Sequence, residues 1–293
     1  MKSNALFLMT VVWIILGLLL LFVLLFRIMM NGFRNPQRKH TTSPLEIGIP
    51  FEEVRFITHN NRSLYGWWIF KNETYPTIIL VHGWGRNVGR MMPYIEQLNK
   101  QQFNLLTFDA RHHGSSDKDK LSTMKKFAED ISSAFDFVHQ RIDNDVSKIG
   151  VVGLSIGGGA AIYASAHDKR IKSIITVGAF ANPLDVMKLQ LAKRHVPYYP
   201  VGLILLKYLE FLVGFKFNDI APEKYIHHTD TKILLIHGTD DLTIPISHAR
   251  RLNNNSKSKN VELWEIENRG HSDCHKEEGY WDKIIQFLTK SLN

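Results

Sequence analysis

The opening stretch of the chain has no hydrophobic–polar alternation. From Ser3 to Phe26 no residue is charged, and Leu, Ile, Val and Phe dominate. As a helix, Ala5 to Phe26 spans roughly 33 Å at about 1.5 Å per residue, close to a hydrocarbon core about 30 Å thick. A core helix of a soluble protein would show a polar face. A secretory signal would have a shorter apolar run and a small-residue cleavage site, which Arg27-Ile28-Met29-Met30 does not offer. The pattern therefore predicts a transmembrane anchor within residues 1–34. A polar stretch carrying Pro36, Pro44 and Pro50 follows and reads as a linker over residues 35–50.

Beyond residue 51 the pattern becomes periodic. Val54–Thr58 and Leu64–Phe70 read as strands, and His59-Asn60-Asn61-Arg62 as the turn of a β-hairpin. Strand and helix then alternate. Thr77–Val81 is a continuous apolar run, as expected of a strand covered on both faces. Met91–Gln101 reads as a helix and Asn104–Asp109 as a strand. Ser122–Gln140 places Phe127, Ile131, Ala134, Phe135 and Val138 at helical spacing. Lys148–Leu154 is a short strand followed by a small-residue helix to Ala166, and Ile171–Val177, Lys232–Ile236 and Val261–Ile266 are further strands. Trp281–Leu288 closes the chain as an amphipathic helix. This order predicts an α/β fold in one domain over residues 51–293: a mostly parallel sheet, helices on both faces, an antiparallel N-terminal hairpin. Residues 181–231 do not fit the alternation, and Val201–Phe215 is apolar on most faces. An insertion there would lie over the carboxyl ends of the strands, either as a lid or as an ordinary helix packed on the core.

Charge changes the picture only at the amino end. The formal net charge is +8. Residues 1–40 hold five basic residues (Lys2, Arg27, Arg34, Arg38 and Lys39) and no acidic one, leaving 31 basic against 28 acidic residues elsewhere. That is an ordinary surface, and nucleic-acid binding is not implied. The basic cluster after the span reads as a contact with anionic membrane lipid. The side richer in Lys and Arg tends to stay cytoplasmic, which places the large domain in the cytosol. Cys274 is the only cysteine, so no intrachain disulfide forms.

Candidate chemistry centres on Gly153-Leu154-Ser155-Ile156-Gly157. A strand turning sharply into a helix lifts a serine on a strained backbone, and side chains two residues either side would collide with neighbouring elements. A serine hydroxyl needs a base. His271, just past the last strand, lies on the same rim as Ser155. An acid must orient that imidazole, and Asp240 and Asp241 both follow the strand ending at Ile236; spacing does not separate them. Donors for a developing oxyanion would be the backbone N–H groups of Ile156, directly after the serine, and Trp84, in His82-Gly83-Trp84-Gly85. No Gly-Lys-Ser/Thr follows those glycines, so they are not a phosphate loop.

Four segments, in order, resemble the α/β-hydrolase superfamily over about residues 50–290: HGWG at 82–85, FDARHHGSS at 108–116, GLSIGG at 153–158, and HGTDDLTIP with NRGHSD near the end. The resemblance implies the α/β-hydrolase fold and a triad of Ser155, Asp241 and His271. It favours Asp241 because the family sets its acid in D-x-x-V-P, matched by Asp241 to Pro245. Where family members often show R-G-H-G-x-S, this chain has His112 at the first glycine, in a structural loop. The nearest likeness is to membrane-linked esterases and acyl-peptidase-like hydrolases. The implied activity is hydrolysis of an ester of a small acyl substrate through an acyl-enzyme, with no cofactor or metal required. Peptide, amide and thioester cleavage use the same machinery. A non-catalytic binding protein on this fold would have lost a triad member, and none is lost.

Overall fold

In the computed structural model the described residues are 2–33, 37–142, 148–256 and 259–292. Arg34 of the basic cluster, and Asn35 and Pro36 of the expected linker, lie outside them. Helix α1 (Lys2–Phe33) opens the chain, and its segment Asn4–Ile28 is long and apolar enough to cross a membrane. The expected hairpin follows. Strand β1 (Glu52–Thr58) pairs antiparallel with β2 (Arg62–Ile69), and Asn60 and Asn61 take positive φ in the turn, a conformation asparagine tolerates better than most residues. Strands β3 (Thr77–Val81), β4 (Asn104–Phe108), β5 (Ile149–Leu154), β6 (Ser173–Val177), β7 (Lys232–Gly238) and β8 (Val261–Ile266) complete one sheet. Its order is β1-β2-β4-β3-β5-β6-β7-β8, with β2 antiparallel to both β1 and β4 and the remaining neighbours parallel.

The unbroken apolar runs have a direct cause. Ile79 and Val81 of β3 join the core on one face, Ile78 and Leu80 the core on the other, so no position of that strand faces water. Helices α3 (Met124–Arg141) and α4 (Ile156–His167) cover the first face; α2 (Met92–Leu98) and α9 (Tyr280–Leu292) cover the second. Each fully buried Ile, Leu or Phe contributes about 1.5–3 kcal/mol relative to exposure. The insertion forms α5 (Pro183–Lys193), α6 (Leu203–Val213) and the short α7 (Pro222–Tyr225). Between β7 and β8 stands α8 (Ser247–Ser256), a helix not expected from the pattern; Ala249 and Leu252 are its buried apolar residues, too few to register a period.

The segment expected as a linker is docked from Gln37 onward. Gln37 Nε2 donates to Ser116 O at 2.6 Å, His40 Nε2 meets Asp109 Oδ2 at 2.7 Å, and Asn87 Nδ2 donates to Arg38 O and Lys39 O. Pro44 and Ile49 are buried.

Candidate active site

Ser155 sits between β5 and α4 at φ 53° and ψ −116°, outside the comfortable regions for a residue with a Cβ. Its amide donates to Val177 O at 2.8 Å, which ties the turn to β6. The flanking glycines are required by contact. A Cβ on Gly153 would lie 2.5 Å from the carbonyl carbon of Gly157, and one on Gly157 would lie 2.8 Å from Val81 O and 2.9 Å from His82 O. The turn is therefore wedged between β3 and β5, and Ser155 faces a cavity of about 660 Å³.

His271 lines the same cavity. Its Nδ1 lies 2.6 Å from Asp241 Oδ2, so with Nδ1–H donating to the carboxylate, Nε2 is left as the acceptor. Ser155 Oγ makes no direct hydrogen bond to this ring among the described residues; such contacts are often long in unliganded enzymes. Gly178 closes the arrangement from the β6 side. Its φ is +65°, and a Cβ there would lie 3.0 Å from His271 Nδ1 and Cε1.

The two candidate acids separate in space. Asp240 is exposed and accepts from Thr239 Oγ1. Asp241 is buried and holds His271. Asp241 Oδ1 accepts from the amides of Thr243 (2.8 Å) and Ile244 (2.9 Å). Burial alone would raise this carboxyl, but hydrogen bonds from His237, His271 and the Ile244 amide outweigh it and hold the group well below the ordinary carboxylate range. His237 was not singled out as part of the site. Its Nε2 lies 2.7 Å from Ile244 O and 3.3 Å from Asp241 Oδ2, so its N–H is shared between the carbonyl and the carboxylate. A histidine closing β7 four residues before an acid was the available signal.

The two residues expected to supply oxyanion donors, Trp84 and Ile156, both line the cavity that Ser155 faces. Ile156 opens α4, where the first amides have no intrahelical acceptor. The loop after β3 approaches closely, since a Cβ on Gly83 would lie 3.5 Å from Ser155 Cβ and Leu154 O. Two buried histidines fix that loop. His82 Nδ1 lies 2.7 Å from Gly83 O while Nε2 accepts from the Ala110 amide; His113 Nε2 accepts from the Gly85 amide. Burial lowers the pKa of both, that of His113 to about 3, and the accepting nitrogens require neutral rings. His112, at the position of the expected glycine, takes φ 69°, and its Nδ1 lies 2.7 Å from Asp119 O.

The rest of the cavity wall is mainly the insertion. Val186, Met187 and Leu191 of α5, Leu206 of α6, and Phe217 and Ile220 beyond it face the cavity, with Arg86, Arg90 and Arg194 among the polar lining. Among the described residues no cluster of three or more His, Cys, Asp or Glu side chains is placed to hold a metal ion.

Comparison with known proteins agrees with this architecture. Residues 72–210 match a family model described as serine aminopeptidase, S33. A Saccharomyces cerevisiae protein named as an uncharacterized membrane protein is 24% identical over 266 residues, covering 90% of this chain and 88% of its own. The α/β-hydrolase domain-containing protein WAV2 of Arabidopsis thaliana is 23% identical, covering 86% of this chain and 83% of its own. Among solved structures, an esterase of Pyrococcus furiosus superposes with a TM-score of 0.74 at 23% identity, covering 89% of this chain and 98% of its own.

Proposed function

We propose that this chain, which has the α/β-hydrolase fold and matches a serine aminopeptidase family model over residues 72–210, is a serine esterase acting on acyl esters, with Ser155 as nucleophile, His271 as base and Asp241 as the acid that orients it. The observation that carries this reading is the 2.6 Å contact between His271 and Asp241 on the wall of the cavity that Ser155 enters from its strained turn. In the proposed reaction His271 Nε2 takes the proton of Ser155 as Oγ attacks the ester carbonyl. The carbonyl oxygen gains negative charge and is held by the amides of Trp84 and Ile156. Collapse of the tetrahedral intermediate expels the alcohol, which takes the proton from His271. Water, deprotonated by the same nitrogen, then attacks the acyl-enzyme and releases the acid, restoring Ser155. Asp241 stays ionised and stabilises the imidazolium.

The apolar wall from α5 and α6 favours an acyl chain over a charged peptide, which supports ester hydrolysis ahead of peptidase activity. We further propose that α1 anchors the protein in a membrane and that the basic residues after the span keep residues 51–293 on the cytoplasmic side.

A fluorophosphonate probe should label the wild-type chain and not Ser155→Ala. The same variant should lose about 10⁴-fold or more in turnover of a p-nitrophenyl ester while keeping the wild-type melting temperature. A loss under tenfold would show that another group is the nucleophile.

A further inference from the structure

Helix α6 is apolar on two faces. Leu205, Leu206 and Leu209 point inward, and Leu206 lines the cavity. Ile204, Tyr208, Phe211 and Leu212, spaced four, three and one apart, form a second stripe that is exposed, Phe211 to 79% and Ile204 to 50%. A contiguous apolar stripe on a surface helix requires a partner. The neighbour on this side is α1. Phe22, Leu25, Phe26 and Met30 pack against the cluster built by α5 and α6, and the rings of Phe26 and Tyr208 meet edge to face with centroids 4.7 Å apart.

That packing fixes a depth. Phe22 lies six residues inside Ile28, where the membrane-spanning segment ends, so the contact extends about 9 Å into the span at about 1.5 Å per residue. Amphipathic helices that lie in a bilayer surface bury their apolar face about 5–10 Å. Tyr208 suits this level, where tyrosine is enriched. Lys207, on the same face and paired with Glu210 at 2.8 Å, is long enough to reach the headgroups. The two faces of α6 are one helix apart, about 10 Å, so the cavity lies one helix thickness from whatever covers the stripe.

We infer that the exposed stripe of α6 lies in the lipid interface beside α1, so that the cavity draws on the bilayer and the substrates are acyl esters of membrane-embedded lipids. The inference rests on the esterase and anchor readings above and names the substrate class for them.

The test uses the full-length chain reconstituted in phosphatidylcholine–phosphatidylserine vesicles. Phe211→Cys and, separately, Leu16→Cys are labelled with an environment-sensitive fluorophore; Cys274 is buried and stays unlabelled. Spin-labelled lipids should quench both probes. Quenching at Leu16 with none at Phe211 would overturn the inference and leave the anchor standing, whether the Phe211 probe reports water or, by a blue-shifted emission, a protein partner or second copy. Absence of quenching at both positions would defeat the anchor and this inference together. In the activity arm, Phe211→Glu should keep hydrolysis of p-nitrophenyl butyrate within about twofold and lose at least tenfold on a fluorogenic phospholipid ester in the vesicles. Equal rates on both substrates would overturn the inference. A wild-type chain inert on both esters would defeat the esterase reading, while the quenching still decides where α6 lies.

Discussion

At Asp241 four donors converge on two oxygens. The His271 and His237 rings share Oδ2, and the Thr243 and Ile244 amides share Oδ1. An asparagine cannot satisfy all four, because its amide must present N–H groups to one pair of them. Asp241→Asn should therefore turn His271 to the wrong tautomer and lower turnover about 10⁴-fold, while Asp240→Asn, altering an exposed turn carboxylate, should stay within a few-fold of wild type. Parallel kcat/KM measurements on a soluble ester decide this, and equal losses would refute the assignment. Gly178 offers a second probe of the same ring. With φ at +65° and a new Cβ 3.0 Å from the imidazole, Gly178→Ala should displace His271 and cost at least tenfold in kcat, with little change in labelling by a soluble thiol reagent at buried Cys274. Unchanged kcat would show that the ring position is not used. The elbow serine, the late histidine and the carboxylate pair were legible in the sequence because each chemistry demands a residue type at a strand end. His237 was not, because its role depends on the turn at Ile244 folding its carbonyl back onto the ring.

The loops after β3 and β4 depend on two uncharged histidines, and this sets a pH dependence for the fold. His113 has a folded pKa of about 3, lowered first by burial and then by His82, against an unfolded value of about 6.5. Between those values the unfolded chain binds a proton that the folded chain refuses. Stability is therefore full above about pH 6.5 and falls as pH drops, by about 1.4 kcal/mol per pH unit for each such histidine. The melting temperature should decline clearly from pH 7.5 to pH 5.0. His113→Gln should be less stable at pH 7.5 yet show a shallower decline; a slope identical to wild type would remove His113 from the account. At the scale of elements the sequence was most informative where burial is two-sided. The runs of β3, β5 and β6 mark a covered parallel sheet, and the hairpin is marked by Asn60 and Asn61. It was least informative where tertiary contact decides. Helix α8 has too few buried apolar residues to show a period, Val201–Phe215 does not reveal which of its apolar faces is inside, and the proline-bearing segment before β1 is docked through hydrogen bonds to Asp109 and Asn87 that no local pattern encodes.

The whole molecule joins a nearly neutral α/β domain to an apolar helix flanked by basic residues, and this asymmetry yields a prediction about truncation and topology. None of Ser155, Asp241, His271, Trp84 or Ile156 lies in residues 1–34, and the docked segment from Gln37 onward is retained when those residues are removed. Deleting residues 1–34 should therefore leave a folded protein that hydrolyses short soluble esters at close to the full-length rate. It should lose rate mainly on lipid substrates, because tethering raises the local concentration of enzyme at the membrane by orders of magnitude. The deletion also uncovers the surface of α5 and α6 that Phe22, Phe26 and Met30 occupy, so the shortened chain should still bind vesicles weakly, where a protein held by α1 alone would not bind at all. Recovery of the full-length chain in the soluble fraction after lysis would contradict the anchor. The proposed orientation rests on the charges: with Arg27, Arg34, Arg38 and Lys39 after the span and Lys2 before it, the α/β domain should resist protease added to intact cells and become sensitive on lysis. Digestion in intact cells would place it on the opposite side. The short-chain assay would then still report the same chemistry, because nothing in the geometry around Ser155 depends on which leaflet α6 touches.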